Sequence, residues 1–221
     1  MKLAIKALTA TVLGFVVISL LLFVPAGTLF YINGWLFIGV LFVPMIIMGV
    51  VLVIKKPEML EKRLKTKEKM GSQRAVVALS GVMFVIGFVV AGLNFRYGWF
   101  ALPFCVSVAA AVVFVAGFLL YAEVIWENEY LSRVIEVQKN QKVIDTGLYS
   151  VVRHPMYLST LLMFLSIPLI LGDVFSIIVF LAYPVIIARR MKDEEQLLEK
   201  ELSGYSEYKK KVKYRMIPFL W

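Results

Sequence analysis

The chain has 221 residues, 61% of them hydrophobic, and a formal net charge of +9. Ordinary soluble domains are roughly 45–50% apolar, and here the apolar residues form long uncharged blocks, the pattern of membrane-spanning segments rather than of a soluble core. One cysteine, Cys105, excludes an intrachain disulfide, and one histidine, His154, excludes a multi-histidine metal centre; the basic residues flank apolar blocks, so membrane lipid headgroups, not nucleic acid, are the expected counter-charge.

Residues 7–54 carry no charge. Pro25-Ala26-Gly27 and Asn33-Gly34 divide this block, predicting a first helix over 7–24 and a second over 35–54, with Phe30, Tyr31 and Trp35 where an interfacial aromatic belt would lie. The first block follows Lys2 and Lys6 as in a signal peptide. Its uncharged core is longer than a usual h-region and no small-residue cleavage site follows, so it is read as a retained helix. In residues 55–74, Lys55, Lys56, Lys62, Arg63, Lys65, Lys67, Lys69 and Arg74 face Glu58, Glu61 and Glu68, and a weak stripe of Leu60 and Leu64 suggests a short interfacial helix after Pro57. A third helix is expected over 75–93, a tight turn over 94–98, and a fourth helix over 99–122 with Pro103 near its start. Residues 123–152 read as a polar loop with one or two short helices. Segments 156–171 and 174–188 form a hairpin around Gly172-Asp173, and a polar tail from Arg189 is helical to about Leu202. The expected fold is an all-α integral membrane protein of about six transmembrane helices with a short C-terminal helical hairpin and a cytosolic tail helix. It forms one membrane domain over 1–221, with four helices and a basic loop (55–74) in 1–122 and the chemistry in 123–221.

Orientation follows from Lys and Arg. With the N-terminus inside, the inner segments 1–6, 55–74, 123–155 and 189–221 hold 23 of the 24, and Arg96 alone lies outside. Both termini are therefore expected in the cytoplasm. The hairpin arms are short: about 16 residues rise about 24 Å, less than a hydrocarbon core of roughly 30 Å. With Pro168 and Pro184 in them, they suggest either a partly wet cavity or a locally thin bilayer.

The polar residues of interest lie at the inner ends of that hairpin. Gly147 permits a turn with positive φ. Pro155 holds His154 extended and suits a first helical turn, which places Arg153 and His154 at a helix N-terminus. A cation there opposes the helix dipole and calls for an anionic partner. On the far side come Arg189-Arg190, Glu194-Glu195 and Gly204-Tyr205-Ser206-Glu207-Tyr208. Taken singly, these residues also suit snorkelling arginines, belt tyrosines and solvated i, i+4 pairs.

Taken together they resemble the isoprenylcysteine carboxyl methyltransferase family, within the wider group of membrane methyltransferases that includes phospholipid N-methyltransferases. The matching residues are Gly147, Tyr149, Arg153, His154, Pro155 and Tyr157, then Glu194, Glu195 and Leu198, then Gly204, Tyr208, Val212, Arg215 and Pro218. The match runs in order over about the last 80 residues; residues 1–120 match only as apolar helices. The resemblance implies S-adenosylmethionine as methyl donor, no metal, and a lipidic or prenylated acceptor entering from the bilayer. It implies donor binding by Gly147, Tyr149, His154, Pro155, Tyr157, Glu194, Glu195 and Tyr208, and catalytic roles for Arg153, Arg190 and Glu194. Which arginine faces an acceptor carboxylate stays open. The expected location is a membrane, a bacterial plasma membrane in preference to the endoplasmic reticulum. Methyl transfer from a sulfonium needs alignment and desolvation more than a metal or a covalent nucleophile, and an ionised carboxylate acceptor needs no general base. A phospholipid amine or a small hydrophobic thiol is the other acceptor class. A nicotinamide-dependent membrane reductase, its cofactor phosphates held by inner-face arginines, is the other enzyme class, and a non-catalytic scaffold or transporter the remaining reading.

Overall fold

A computed structural model of the chain describes residues 2–64 and 71–221, the side chain of Ser72 excepted. Lys65, Lys67, Glu68 and Lys69 of the basic segment lie outside the described residues. The helices are α1 (Lys2–Ala26), α2 (Ile32–Lys55), α3 (Pro57–Arg63), α4 (Gly71–Tyr97), α5 (Phe104–Glu127), α6 (Pro155–Ile170), α7 (Phe175–Phe180), α8 (Ala182–Glu201) and α9 (Tyr205–Lys211), with a 3-10 turn over Gly147–Ser150 before α6.

The four apolar blocks each become one helix of 24 to 27 residues, and these four are long and apolar enough to cross a membrane. The first three outrun their apolar blocks at both ends and the fourth at its C-terminal end, because backbone hydrogen bonding carries the helix into the polar margin. Thus α4 continues through the expected turn at 94–98 and stops before Gly98, at φ +63; α5 starts only after Pro103 and extends into the expected loop as far as Glu127. The short interfacial helix is α3. Of the expected six spans, the last two are shorter: α6 has 16 residues, and the second arm is split at Leu181 into α7 and α8. Pro184, in the first turn of α8, has no N–H with which to continue α7. The tail helix is no separate element, since α8 runs unbroken from the arm through Arg190, Glu194 and Glu195.

Exposed apolar side chains such as Leu8, Val12, Ile47, Leu79 and Val112 cover the outer faces, as lipid contact requires. Inside, rings pack between helices, Phe37 tilted against Phe88 and edge-on to Phe114, and Phe84 edge-on to Phe164 and Phe180. The bareness of Gly87 makes room for Phe180, whose ring a Cβ would strike.

The two ends of the bundle differ. At one, the last carbonyls of the short α6 are met by side chains: Tyr31 donates to Leu171 at 2.6 Å, Asn33 to Ile170 at 3.0 Å and Ser107 to Leu169 at 3.0 Å. A short helix leaves such carbonyls orphaned where no water reaches, and α5 and the start of α2 supply the donors. Asp173, fully buried, caps α7 by accepting from Phe175 and Ser176 N–H. At the other end, Leu3 and Ala7 of α1 pack with Leu52, Leu60, Ile125 and Leu131. The start of the chain, the ends of α2 and α5, and α3 therefore share that end with the Arg153-His154-Pro155 turn.

Candidate functional site

The Arg153-His154-Pro155 turn is held from both sides. Glu127, at the end of α5, accepts from Leu148 N–H at 3.1 Å, and Gly147, at φ +47, packs so closely that a Cβ would overlap that carboxylate. The chain after α9 returns alongside: Arg153 N–H donates to Tyr214 O at 3.0 Å and His154 N–H to Arg215 O at 2.8 Å. Pro155 opens α6, and His154 before it, at φ −127 and ψ 61, is bent short of the extended backbone expected of it.

The anionic partner expected for Arg153 is Glu195. Arg153 Nε lies 2.8 Å from its carboxylate, His154 Nε2 3.3 Å, Arg215 Nε 3.3 Å and Lys209 Nζ 3.9 Å. Burial alone would raise the Glu195 pKa, but hydrogen bonds from His154 and Arg153, and their charges, outweigh it and hold the carboxyl at about 2. Arg153 also spends Nη1 on Val212 O at 2.7 Å and Lys213 O at 2.8 Å. Its guanidinium thus binds tail to turn.

Glu194, one residue earlier on α8, faces elsewhere. It accepts from the hydroxyl of Tyr157, which in turn accepts from Arg190 Nε at 3.2 Å. Arg190 Nη2 donates to Arg133 O at 2.7 Å. Arginine, tyrosine and glutamate form a chain along one side of a cavity of about 100 Å³. The His154 ring stacks on that of Tyr157, centroids 5.4 Å apart.

Of the residues expected in a site, Tyr149, Arg153, His154, Tyr157, Arg190, Glu194 and Tyr208 line the cavity. Gly147, Pro155 and Glu195 lie behind its wall and shape it. Tyr208 reaches across to donate to Tyr149 O at 2.8 Å, pinning α9 to the 3-10 turn. Burial pushes the hydroxyls of Tyr149 and Tyr208 well above the usual tyrosine range, so both stay protonated.

Sequence reasoning missed the roof. Residues 128–144 form no helix; instead Tyr130, Ser132, Val134, Ile135 and Val143 cover the cavity. The signal was there in Val134-Ile135, an apolar pair in a polar stretch, buried in the structure. Asn128 was also missed: it donates to Tyr149 Oη at 2.9 Å. So was Arg63 of α3, which reaches Ser132 O at 3.4 Å and the Tyr121 hydroxyl. Among the described residues there is no group of acidic, histidine or cysteine side chains able to hold a metal.

Residues 105–203 match the family model described as phospholipid methyltransferase. Among curated proteins, the Delta(14)-sterol reductase of Mus musculus is 34% identical over 92 residues, which is 39% of this chain and 22% of that protein. The chain thus spans about a fifth of the length of the curated relative it matches. Among solved structures, the eukaryotic intramembrane Ras methyltransferase, isoprenylcysteine carboxyl methyltransferase, aligns with a TM-score of 0.51 at 16% identity, covering 99% of this chain and 97% of that one; at that identity the likeness concerns the fold. Residues 105–203 thus match the phospholipid methyltransferase family model, within a chain whose fold is similar to that of an isoprenylcysteine carboxyl methyltransferase.

Proposed function

We propose that the chain is an S-adenosylmethionine-dependent methyltransferase whose acceptor is lipidic, an isoprenylcysteine-type carboxylate before a phospholipid amine or a small thiol. The observation that carries the reading is the meeting of two distant segments, the Arg153-His154-Pro155 turn and the Glu194-Glu195 face of α8, at one cavity. The donor set suits the cofactor. Glu194 offers a carboxylate to its cationic end, the stacked His154 and Tyr157 rings offer aromatic faces, and Leu131, Val134 and Ile135 of the roof offer apolar contact. Tyr149, His154, Tyr157, Glu194 and Tyr208 would hold it, with Gly147, Pro155 and Glu195 fixing their positions.

When bound, the cofactor supplies an electrophilic methyl group on a sulfonium. The residues have the simpler tasks of alignment and exclusion. Arg190, half-buried and anchored by Tyr157 and the Arg133 carbonyl, is the cation proposed to hold an acceptor carboxylate in fork geometry. Arg153, occupied by Glu195 and two carbonyls, is proposed to act by bracing. An ionised carboxylate has no proton to lose, and the site then needs no base; an amine would require Glu194 to take one. The basic-residue asymmetry puts both termini and the cavity on the cytoplasmic side, a bacterial plasma membrane being favoured, with the acceptor entering from the bilayer.

Titration of the detergent-solubilised chain with S-adenosylmethionine and S-adenosylhomocysteine tests the reading. Measurable affinity, and labelled methyl recovered in lipid or lipopeptide extracts, are expected. No affinity for either removes it. The sterol reductase likeness favours one other reading, a nicotinamide-dependent reductase; turnover of a reduced nicotinamide with a sterol or other lipid acceptor would decide for that.

A further inference from the structure

Among the described residues, four buried side-chain polar atoms lack any partner, in Ser19, Gln73, Ser176 and Tyr205. Of these residues only Tyr205 belongs to the wall of the cavity. Its side chain is 96% buried by its relative exposure of 4%, so water does not serve the hydroxyl. Leaving a buried hydroxyl unsatisfied costs about 1–3 kcal/mol, and phenylalanine would fill the same space without that cost. Tyr208, three residues on, shows the contrast: its ring packs on that of Tyr205 at 5.7 Å, and its hydroxyl is committed to the Tyr149 carbonyl. One tyrosine of α9 serves the fold. The other holds a donor for which the described residues supply no acceptor.

The surroundings narrow what that acceptor is. Burial, then the charges of Glu195 and Glu194, keep the Tyr205 hydroxyl protonated, so it gives a hydrogen rather than takes one. Arg153, the cation that also reaches the hydroxyl, is already paired with Glu195, and Glu194 repels an anion beside it. That leaves an uncharged acceptor. The methyl donor has such atoms on its nucleoside half, whereas its amino-acid end carries a carboxylate.

We propose that Tyr205 donates a hydrogen bond to an uncharged oxygen or nitrogen on the nucleoside half of the bound methyl donor. The inference rests on the methyl-donor reading, and it sets the nucleoside toward α9 and the amino-acid end toward Tyr157 and Glu194.

The test is Tyr205→Phe in the full detergent-solubilised chain, with Tyr208→Phe as the structural contrast. Two ligands are titrated: S-adenosylhomocysteine, and 5′-methylthioadenosine, which keeps nucleoside and sulfur but lacks the amino-acid end. Ligand-free thermal unfolding is measured alongside. Tyr205→Phe should leave the ligand-free midpoint unchanged or raised, and should weaken both ligands by roughly 5- to 30-fold. Tyr208→Phe should lower the ligand-free midpoint. Unchanged affinity of Tyr205→Phe for both ligands overturns the inference, and so does weakening confined to S-adenosylhomocysteine, which would put the contact at the amino-acid end. A lowered ligand-free midpoint in Tyr205→Phe would show that the hydroxyl serves the fold, and also overturns it. Wild-type chain that binds neither ligand removes the methyl-donor reading itself, an outcome separate from wild-type binding that Tyr205→Phe leaves intact.

Discussion

Glu195 is the residue on which the site's architecture turns. Four basic side chains converge on one buried carboxylate, and it holds its charge only because they are there. Its pKa falls from 4.5 in the ordinary carboxyl to about 2 in the fold. As pH drops, the unfolded chain takes up the proton first. The stability linked to ionised Glu195 is therefore complete above about 4.5 and lost as pH falls toward about 2. Glu195→Gln should flatten that acid-side loss and cost about 2–3 kcal/mol at neutral pH. Thermal unfolding in detergent across pH reads both, and an unchanged acid slope would refute the assignment. The two arginines separate by the same logic. Arg153 fills Glu195 and two carbonyls at once, a fork that lysine cannot reproduce, so Arg153→Lys should lose about 2–4 kcal/mol of stability. Arg190→Lys should keep the unfolding midpoint but raise KM for a carboxylate acceptor by about 10-fold or more, with donor affinity less affected. The reverse pattern would exchange their roles.

Among elements, the short α3 does more than lie at the interface. Lys56 and Lys62 donate to Trp126 O and Glu129 O, each at 2.7 Å, and Arg63 donates to Ser132 O. Three cations around one short helix thus strap down the start of the roof, 126–132, whose own backbone forms no regular element between 128 and the 3-10 turn. Replacing Lys62 and Arg63 together by glutamine should speed amide exchange in residues 128–144 by about 5- to 30-fold, as two carbonyl contacts worth about 1–2 kcal/mol in sum are lost. Exchange-coupled mass spectrometry measures it, and unchanged protection there would show that the roof is held by its buried Val134 and Ile135 instead. This element also marks where sequence reading ends. The four long helices were legible because uncharged runs of that length have few other uses. The turn and the α8 face were legible because Arg153, His154, Glu194 and Glu195 are costly residues to place beside a membrane. The roof was not, because its cover depends on contacts between segments far apart in sequence and leaves no period. Glu127 passed unnoticed, and Tyr205 was noted only as part of its segment, for the related reason that a glutamate at a helix end and a tyrosine in a polar tail are ordinary until their neighbours are known.

At the scale of the whole molecule, one end is chemically dense and the other spare. Leu3, the end of α2, α3, the end of α5 and the cavity gather at the first, while Gly27, Arg96 and the α6–α7 bend mark the second, where Arg96 packs against Gly27. The Lys and Arg asymmetry predicts the orientation of this polarity, with the basic segments expected on the cytoplasmic face and Arg96 alone across the membrane. The proposal that the cavity opens to the cytoplasm therefore reduces to a labelling experiment. Cys105 is the chain's single thiol, so Cys105→Ala gives a background free of cysteine, into which Arg96→Cys or Lys210→Cys is introduced, one near each end. In intact cells an impermeant maleimide should modify Arg96→Cys and spare Lys210→Cys until the membrane is opened. The opposite result would set the cavity on the outer face, away from the cytoplasmic supply of S-adenosylmethionine, and would leave a methyl-transfer site where its donor does not reach.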